Sequence, residues 1–157
     1  GADVLLFDSI SSIEELFLLL SAANSGMLVF ATATGNNTVS LLNRFLDSVP
    51  QNLRSSLAAS LADLLKGIIV QHLIPMVGGE GLVLATESMK VSSTIANLLR
   101  KEEIAQIPAA LSSAKGTAIS LDDSLKMLVD SGYIEGVEAW KHAFDARSFA
   151  SYRPGRN

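Results

Sequence analysis

The stretch Val4-Leu-Leu-Phe-Asp8-Ser-Ile10 decides the fold that this 157-residue sequence predicts. Its run of apolar residues, followed by polar ones, is typical of a β-strand buried on both faces of a parallel sheet. Asp8 then emerges at the carboxyl edge of the sheet, where open α/β sheets bind their ligands. The pattern is that of a Walker B strand, whose final Asp reaches Mg²⁺, usually through water. The alternative is that Asp8 only begins a loop.

A Walker B strand works together with a phosphate-binding loop of the form G-x-x-x-x-G-K-[ST], and that pattern occurs nowhere in the chain. If Asp8 closes a nucleotide site, the loop that holds the phosphates must lie upstream of residue 1. We therefore expect the chain to be the second half of a nucleotide-binding domain.

The composition limits the class of protein. Apolar residues make up 48% of the chain and charged residues 18%, which is ample material for a core. The net charge of −4 argues against a nucleic-acid or anionic-membrane surface. The lack of cysteine excludes disulfides and thiolate metal sites and fits a reducing compartment. We expect no signal peptide and no membrane-spanning helix, because a basic leader and a long apolar run are both missing.

The mean hydropathy of +0.35 is high for a soluble chain. Three explanations stay open: a fragment that leaves a shared core half exposed, an oligomer, or a helical domain rich in Leu and Ala.

A strand–helix–strand unit follows from the first forty residues. The Ser-x-x-Glu pairs within residues 11–15 predict a capping box at the start of a helix over 13–24. The helix carries an apolar run at 16–20 that covers it nearly all round, which predicts burial between layers. A second apolar run at 27–32 predicts the second strand, parallel to the first and joined to it by a right-handed crossover.

The rest of the chain is predicted to be mainly helical. A polar loop at 33–37 follows the second strand, at the same sheet edge as Asp8. Residues 147–157 are expected to form a flexible tail. The predicted elements between them are helices over 38–48 and 51–71, a hairpin of strands over 72–77 and 81–89, and helices over 92–101, 107–113, 121–131 and 135–144.

Six stretches, in order along residues 3 to 140, carry motifs of one known family. They are Asp3–Leu6 (D-V-[IV]-L), Ala22–Phe30 (A-A-x-T-G-H-L-V-[FL]), Leu42–Pro50 (I-D-R-[IV]-I-D-x-F-P), the pieces Ser60–Leu61, Gly67–Ile69 and Gln71–Pro75 (together S-L-Q-G-[IV]-[IV]-x-Q-x-L-[LV]-P), Thr94–Lys101 (A-I-R-N-L-I-R-E) and Gly116–Leu125 (G-M-x-[TS]-[ML]-D-x-x-L). Through them the chain resembles the carboxyl-terminal half of the type II/IV secretion ATPases, most closely the PilT-type twitching-motility ATPases of type IV pili.

The resemblance implies an α/β fold: a RecA-like core fragment, made of the parallel βαβ unit and the hairpin, followed by a helical carboxyl-terminal region. The domain boundaries it implies are 1–90 for the second half of the RecA-like core, 91–146 for the helical subdomain and 147–157 for the tail.

The resemblance also implies ATP and Mg²⁺ as ligands of the full-length protein, with none expected for the fragment. The implied partners are the protein itself or paralogous pilus or secretion ATPase subunits in a six-fold ring, and inner-membrane proteins of the pilus base. Neither nucleic-acid binding nor membrane insertion is expected. The implied location is the bacterial cytoplasm, at the inner-membrane face.

The chain departs from the family at the catalytic positions. Ser9 stands where the family has the Glu that orients the attacking water, and a serine hydroxyl cannot accept a proton near neutral pH. Ser11 replaces an Arg of the same motif, and Thr34 replaces the His that senses the γ-phosphate. No catalytic group of the family is therefore intact.

Other positions keep groups that can bind. Asp8, where the family usually has Gly, is a candidate for Mg²⁺, the only metal expected. Arg44 is a candidate for nucleotide or a neighbouring subunit, the alternative being a solvated helix charge. The candidate subunit contacts are Asn97, Leu98, Leu99 and Arg100, beside which the family's Arg and Glu are replaced by Ala96 and Lys101.

Three functions are compatible with these residues. The first is a catalytically degenerate ring component or regulator, and the second is an active motor for pilus retraction or secretion when full length. The third is a non-enzymatic protein-interaction module. The histidines, His72 and His142, are seventy residues apart and are interpreted as ordinary surface or core residues.

Overall fold

A computed structural model describes residues 3–79, 81–113 and 118–155. Glu80 of the hairpin loop and Gly116 of the sixth motif lie outside these ranges. The elements are β1 Val4–Phe7, α1 Ile13–Asn24, β2 Leu28–Ala31, α2 Thr38–Asp47, α3 Gln51–Leu64, β3 Gly67–Pro75, β4 Leu82–Lys90, α4 Ser93–Arg100, α5 Ile107–Ser113, α6 Leu121–Asp130 and α7 Gly136–His142, with 3-10 turns at Val77–Gly79, Ile104–Gln106 and Ala146–Tyr152.

The chain divides into two compact units. The first comprises Gly1–Gly67 and Lys90–Ala110, and the second comprises Ile68–Met89 and Leu111–Asn157. The hairpin therefore groups with the later helices.

The first unit begins with the predicted β–α–β arrangement. β1 and β2 pair in parallel, in a register that runs from Val4 opposite Leu28 to Phe7 opposite Ala31. α1 packs against β2. Its capping box is present, because the Ser12 hydroxyl accepts the Glu15 N–H at 3.2 Å and the Glu15 carboxylate accepts the Ser12 N–H at 3.1 Å. The parallel strand pair and the helix bounds are confirmed.

The prediction that β1 is buried on both faces is wrong for this chain. Alternate residues of the paired strands are exposed, by 52% for Val4, 76% for Leu6 and 55% for Phe30. α1 packs against the two-stranded sheet. The alternate side chains of the strands, such as Val4, Leu6 and Phe30, remain exposed to solvent. A second departure concerns α1 itself, where Leu18 is 70% exposed although burial between layers was expected. Both departures have one physical reason, since this chain supplies too few layers to cover these surfaces.

The remaining helices of the first unit form its core. α3 packs against α1, α2 and α4, and the 3-10 turn Ile104–Gln106 packs against α2 and α4. Leucine and isoleucine side chains fill the space between them. The fully buried ones include Leu42, Leu46, Leu57, Leu99, Ile104 and Ile107.

The predicted helix over 51–71 is wrong in its last part. α3 ends at Leu64, and β3 already begins at Gly67. Glycine is a poor helix former, and the β-branched run Ile68-Ile69-Val70 fits a pleated strand better than a helix. The predicted helix is too long because the apolar residues before Gly67 recur at helical spacing, and Ile68 continues that spacing.

The second unit is built on the β3–β4 hairpin. One face of the hairpin carries Ile74 and Ala85 into a core shared with α6 and α7. Phe149 joins that core and is only 4% exposed, and the ring of Tyr152 lies against Gly136. Residues up to Tyr152 are therefore packed in a 3-10 turn where the sequence predicts a flexible tail, because their aromatic side chains find an apolar surface. Across the described ranges, no helix has the length and apolar character needed to cross a membrane.

Candidate functional site

The carboxyl edge of the β1–β2 sheet holds a short hydrogen-bonded network. The Thr32 hydroxyl donates to Oδ1 of Asp8 at 2.8 Å and accepts the Ser9 N–H at 2.7 Å. The Ile10 N–H donates to the Thr32 carbonyl at 2.8 Å, which continues the strand pairing beyond the end of β1. Thr32 thus ties the segment after β1 to the end of β2 and holds the exposed Asp8 carboxylate at the sheet edge.

Ser9 adopts an unusual backbone conformation. Its φ of 66° lies in the left-handed region, which costs a non-glycine residue about 1–2 kcal/mol. The bonds that Thr32 makes to the neighbouring groups hold the turn in place. Ser9, which the sequence motifs align with the family's Glu, thus lies in a strained turn. The sequence gives no signal for this strain, since serine is not typical of positive φ.

The loop after β2 adds polar groups without an imidazole. Thr34, which the sequence motifs align with the family's His, is exposed. Asn37 caps α2, accepting the Ser40 N–H at 2.8 Å, while its own N–H donates to the Ser40 hydroxyl at 3.2 Å. Asn37 therefore serves the start of the helix.

Arg44 lies on α2, the helix that follows the sheet-edge loop. It stands in the last turn of α2, whereas the first turn, at Thr38, follows the sheet-edge loop. At 1.5 Å per residue, about 9 Å of helix separates the two positions. The Arg44 guanidinium lies 5.7 Å from the centre of the Phe45 ring. Arg44 is exposed, and its contact with nucleotide or a neighbouring subunit stays a prediction.

The four candidate subunit contacts differ in exposure. Asn97 and Arg100 are exposed and Leu98 is half-buried, whereas Leu99 is fully buried in the first unit and has no surface left for a neighbour. Arg100 already pairs with Asp63 on α3 and lies 3.4 Å from the Asn97 side-chain oxygen. Arg100 therefore has a carboxylate partner within the same chain.

Sequence reasoning missed a second ion-pair network in this unit. Nε of Arg54 donates to Glu102 at 2.7 Å, its Nη1 donates to Asp47 at 2.5 Å, and the Ser55 hydroxyl donates to Glu102 at 2.9 Å. The hydrogen bond to Asp47, followed by that to Glu102, raises the pKa of Arg54 above its ordinary value. Glu102 lies far from Arg54 in sequence, and no local pattern reveals such a pair.

In the second unit, the fold brings together the histidines that the sequence left unassigned. The ring centres of His72 and His142 are 6.3 Å apart, with the rings inclined by 67°. Nε2 of His142 lies 4.0 Å from a carboxylate oxygen of Glu138. Among the described residues, no group of three or more His, Cys, Asp and Glu side chains is already arranged to hold a metal ion.

The parallel β–α–β unit with Asp8 at its carboxyl edge, followed by a hairpin and helices, is similar to part of the solved structures of a class of protein, the secretion ATPases. A crystal structure of the pilus retraction motor PilT with bound ADP matches 93% of this chain with a TM-score of 0.83 and 29% identity, over 41% of the PilT chain. The ATPase DotB of Yersinia pseudotuberculosis matches 90% of the chain with a TM-score of 0.79, over 37% of DotB; at 19% identity this likeness shows the fold alone.

Sequence comparison narrows the class. The type IV pilus retraction ATPase PilT of Pseudomonas aeruginosa is 32% identical over 142 residues, which are 90% of this chain and 41% of PilT. A twitching motility protein of Neisseria gonorrhoeae is 28% identical over 149 residues, 94% of this chain and 40% of that protein. The chain spans about two fifths of the length of these relatives. No family model matches the chain.

The chain is therefore related to the PilT-type twitching-motility ATPases and corresponds to their carboxyl-terminal part.

Proposed function

We propose that this chain is the carboxyl-terminal part of a type IV pilus twitching-motility or secretion ATPase-like protein that is catalytically degenerate and works as a ring component or regulator. The observation that carries the proposal is the sheet edge, where the Ser9 N–H donates to the Thr32 hydroxyl. In this proposal, Ser9 stands at the position of the water-orienting Glu of the relatives. General-base catalysis typically contributes about 10²–10⁴-fold to a rate, and a hydroxyl does not supply it.

We propose further that the full-length protein binds ATP with Mg²⁺. The Asp8 carboxylate fits the ion, because Mg²⁺ prefers oxygen ligands and keeps part of its water shell, and Thr32 fixes that carboxylate at the edge where ligands bind. The ion would neutralise phosphate charge there. This chain has no G-x-x-x-x-G-K-[ST] loop to hold the phosphates, so the fragment by itself is not expected to bind nucleotide.

The exposed sheet face supports the assignment to a larger core. Parallel sheets are covered on both faces in α/β proteins, whereas Val4, Leu6, Leu28 and Phe30 are half exposed or more in this chain. We propose that the remainder of the nucleotide-binding core covers them in the whole protein.

For the assembly, we propose a six-fold ring with itself or an active paralogue, with Asn97, Leu98 and Arg100 as the contacts that keep exposed surface. Inner-membrane proteins of the pilus base are further proposed partners, at the cytoplasmic face of that membrane. The net charge of −4 speaks against nucleic acid.

The test measures nucleotide binding and phosphate release by the full-length protein. We expect hydrolysis far below about 1 s⁻¹, the lower end of ordinary enzyme rates. Ser9→Glu combined with Thr34→His should raise the rate, whereas the matched control Ser9→Ala with Thr34→Ala should not. Wild-type turnover of about 1 s⁻¹ or faster would refute degeneracy.

A second candidate function is an active motor, favoured by one observation. The Asp8 carboxylate lies one residue before the catalytic position, at the same sheet edge, and is exposed. In that case Asp8→Asn should abolish the measured hydrolysis. A third and minor candidate is a stand-alone interaction module, which would be favoured by a full-length chain that stays monomeric in light scattering with and without nucleotide.

A further inference from the structure

The meeting of His72 and His142 in the second unit is not explained by nucleotide chemistry. His72 lies in β3 and His142 ends α7, so the two imidazoles come from different elements far apart in sequence. Both side chains are partly exposed, and the side chain of His142 keeps 35% of its surface, which leaves solvent access to the pair. These are the 2 histidines of a chain that has no cysteine.

The spacing of the rings suits a shared metal ion. With metal–nitrogen distances of about 2.0–2.1 Å, two imidazoles on one ion hold their ring centres roughly 5–6 Å apart, depending on the angle at the metal. The observed separation of 6.3 Å is close to that range, and the rings are inclined by 67° in an edge-to-face arrangement. Rotation of the side chains is therefore needed before one nitrogen of each ring faces a shared ion.

Glu138 completes the electrostatic setting. Its carboxylate is 4.0 Å from Nε2 of His142 and only 19% exposed. A carboxylate beside an imidazole favours a bound cation and orients the ring. Lys141 weakens this effect of Glu138, because the Lys141 ammonium group donates to the same carboxylate at 2.6 Å.

We propose that His72 and His142 form a two-histidine site for a transition-metal ion of the Zn²⁺ type, with Glu138 as the nearby carboxylate and water completing the coordination. Imidazole suits Zn²⁺, Ni²⁺ and Cu²⁺ and does not suit Mg²⁺. A bound ion would join β3 to the end of α7 and so stabilise the second unit.

The test is calorimetric titration of the purified, untagged full chain with Zn²⁺, and with Mg²⁺ as the control metal. The double variant His72→Gln/His142→Gln provides the baseline, because it measures any Zn²⁺ binding at other positions of the chain. We expect each single variant to bind Zn²⁺ about 10²-fold more weakly, as for the loss of one arm of a two-point attachment. Lys141→Ala should tighten binding and Glu138→Gln should weaken it.

Circular dichroism and thermal unfolding without metal check that each variant is folded. A rise in unfolding temperature with Zn²⁺ in the wild type, absent from the double variant, supports the site. Zn²⁺ binding that is equal in wild type and double variant, or undetectable in a folded wild type, overturns it. The outcome is independent of nucleotide, so its failure leaves the proposed function untouched.

Discussion

Replacement of Gly136 by Ala tests whether the end of the chain is packed as a fixed part of the second unit. A Cβ at Gly136 would lie 2.1–2.4 Å from three ring atoms of Tyr152, far inside van der Waals contact. The ring must therefore move by more than 1 Å, roughly the gap to an ordinary carbon–carbon contact of about 3.5–4.0 Å.

The expected loss of stability follows from the buried surface area that the Tyr152 ring loses. Tyr152 is 44% exposed, so displacing it returns about 100 Å² to water, given that aromatic residues bury about 150–250 Å² when enclosed. At about 25 cal/mol per Å² this is about 2.5 kcal/mol. Alanine regains at most about 1 kcal/mol through its higher helix propensity at the start of α7. We expect Gly136→Ala to lower the free energy of unfolding by about 1–2 kcal/mol.

The assay is urea unfolding of a double-mutant cycle with Tyr152→Ala. Once the ring is removed, Gly136→Ala should become neutral or stabilising, by up to about 1 kcal/mol. The sign of its effect thus reverses between the two backgrounds. An equal loss of stability in both backgrounds would refute the contact and restore the expectation of a flexible tail.

Three further predictions concern the first unit. Ser9→Gly should raise the free energy of unfolding by up to about 1 kcal/mol, because glycine adopts the positive φ freely. Ser9→Val should lower the free energy of unfolding. Chemical unfolding measures both variants, and a stabilising valine would contradict the positive φ of Ser9. Hydrogen bonds from the Ser11 N–H and then the Ser11 hydroxyl lower the pKa of Glu15 below 4.5. The stabilisation of the folded state by the ionised Glu15 is therefore present above pH 4.5 and is lost as the pH falls through the folded-state pKa. Glu15→Gln should flatten that part of the stability–pH curve, and an unchanged curve would exclude the capping carboxylate as its source. Leu99→Ala should lower the free energy of unfolding by about 2–5 kcal/mol, because Leu99 is fully buried. The control Asn97→Ala, at an exposed position, should change it by less than about 0.5 kcal/mol. An equally small effect of both variants would show that Leu99 is accessible to a neighbouring chain.

The sequence by itself determined the features that are encoded locally. The apolar runs of β1 and β2, with a capped helix between them, predicted the parallel β–α–β unit, because strand period and helix capping depend on neighbouring residues. Six ordered motifs predicted the relation to the PilT-type ATPases. They also named Asp8, Ser9 and Thr34 as candidate site residues, and those roles stay predictions.

Only the tertiary structure decided which distant residues meet and which surfaces stay open. The bond from Thr32 to Asp8, the burial of Leu99 and the meeting of His72 with His142 all join segments that are far apart in sequence. The bare face of the sheet has the same origin, because whether Leu6 is covered depends on how many layers pack around it. An apolar run records that a strand prefers to be buried, and only the folded chain shows whether there is anything to bury it against.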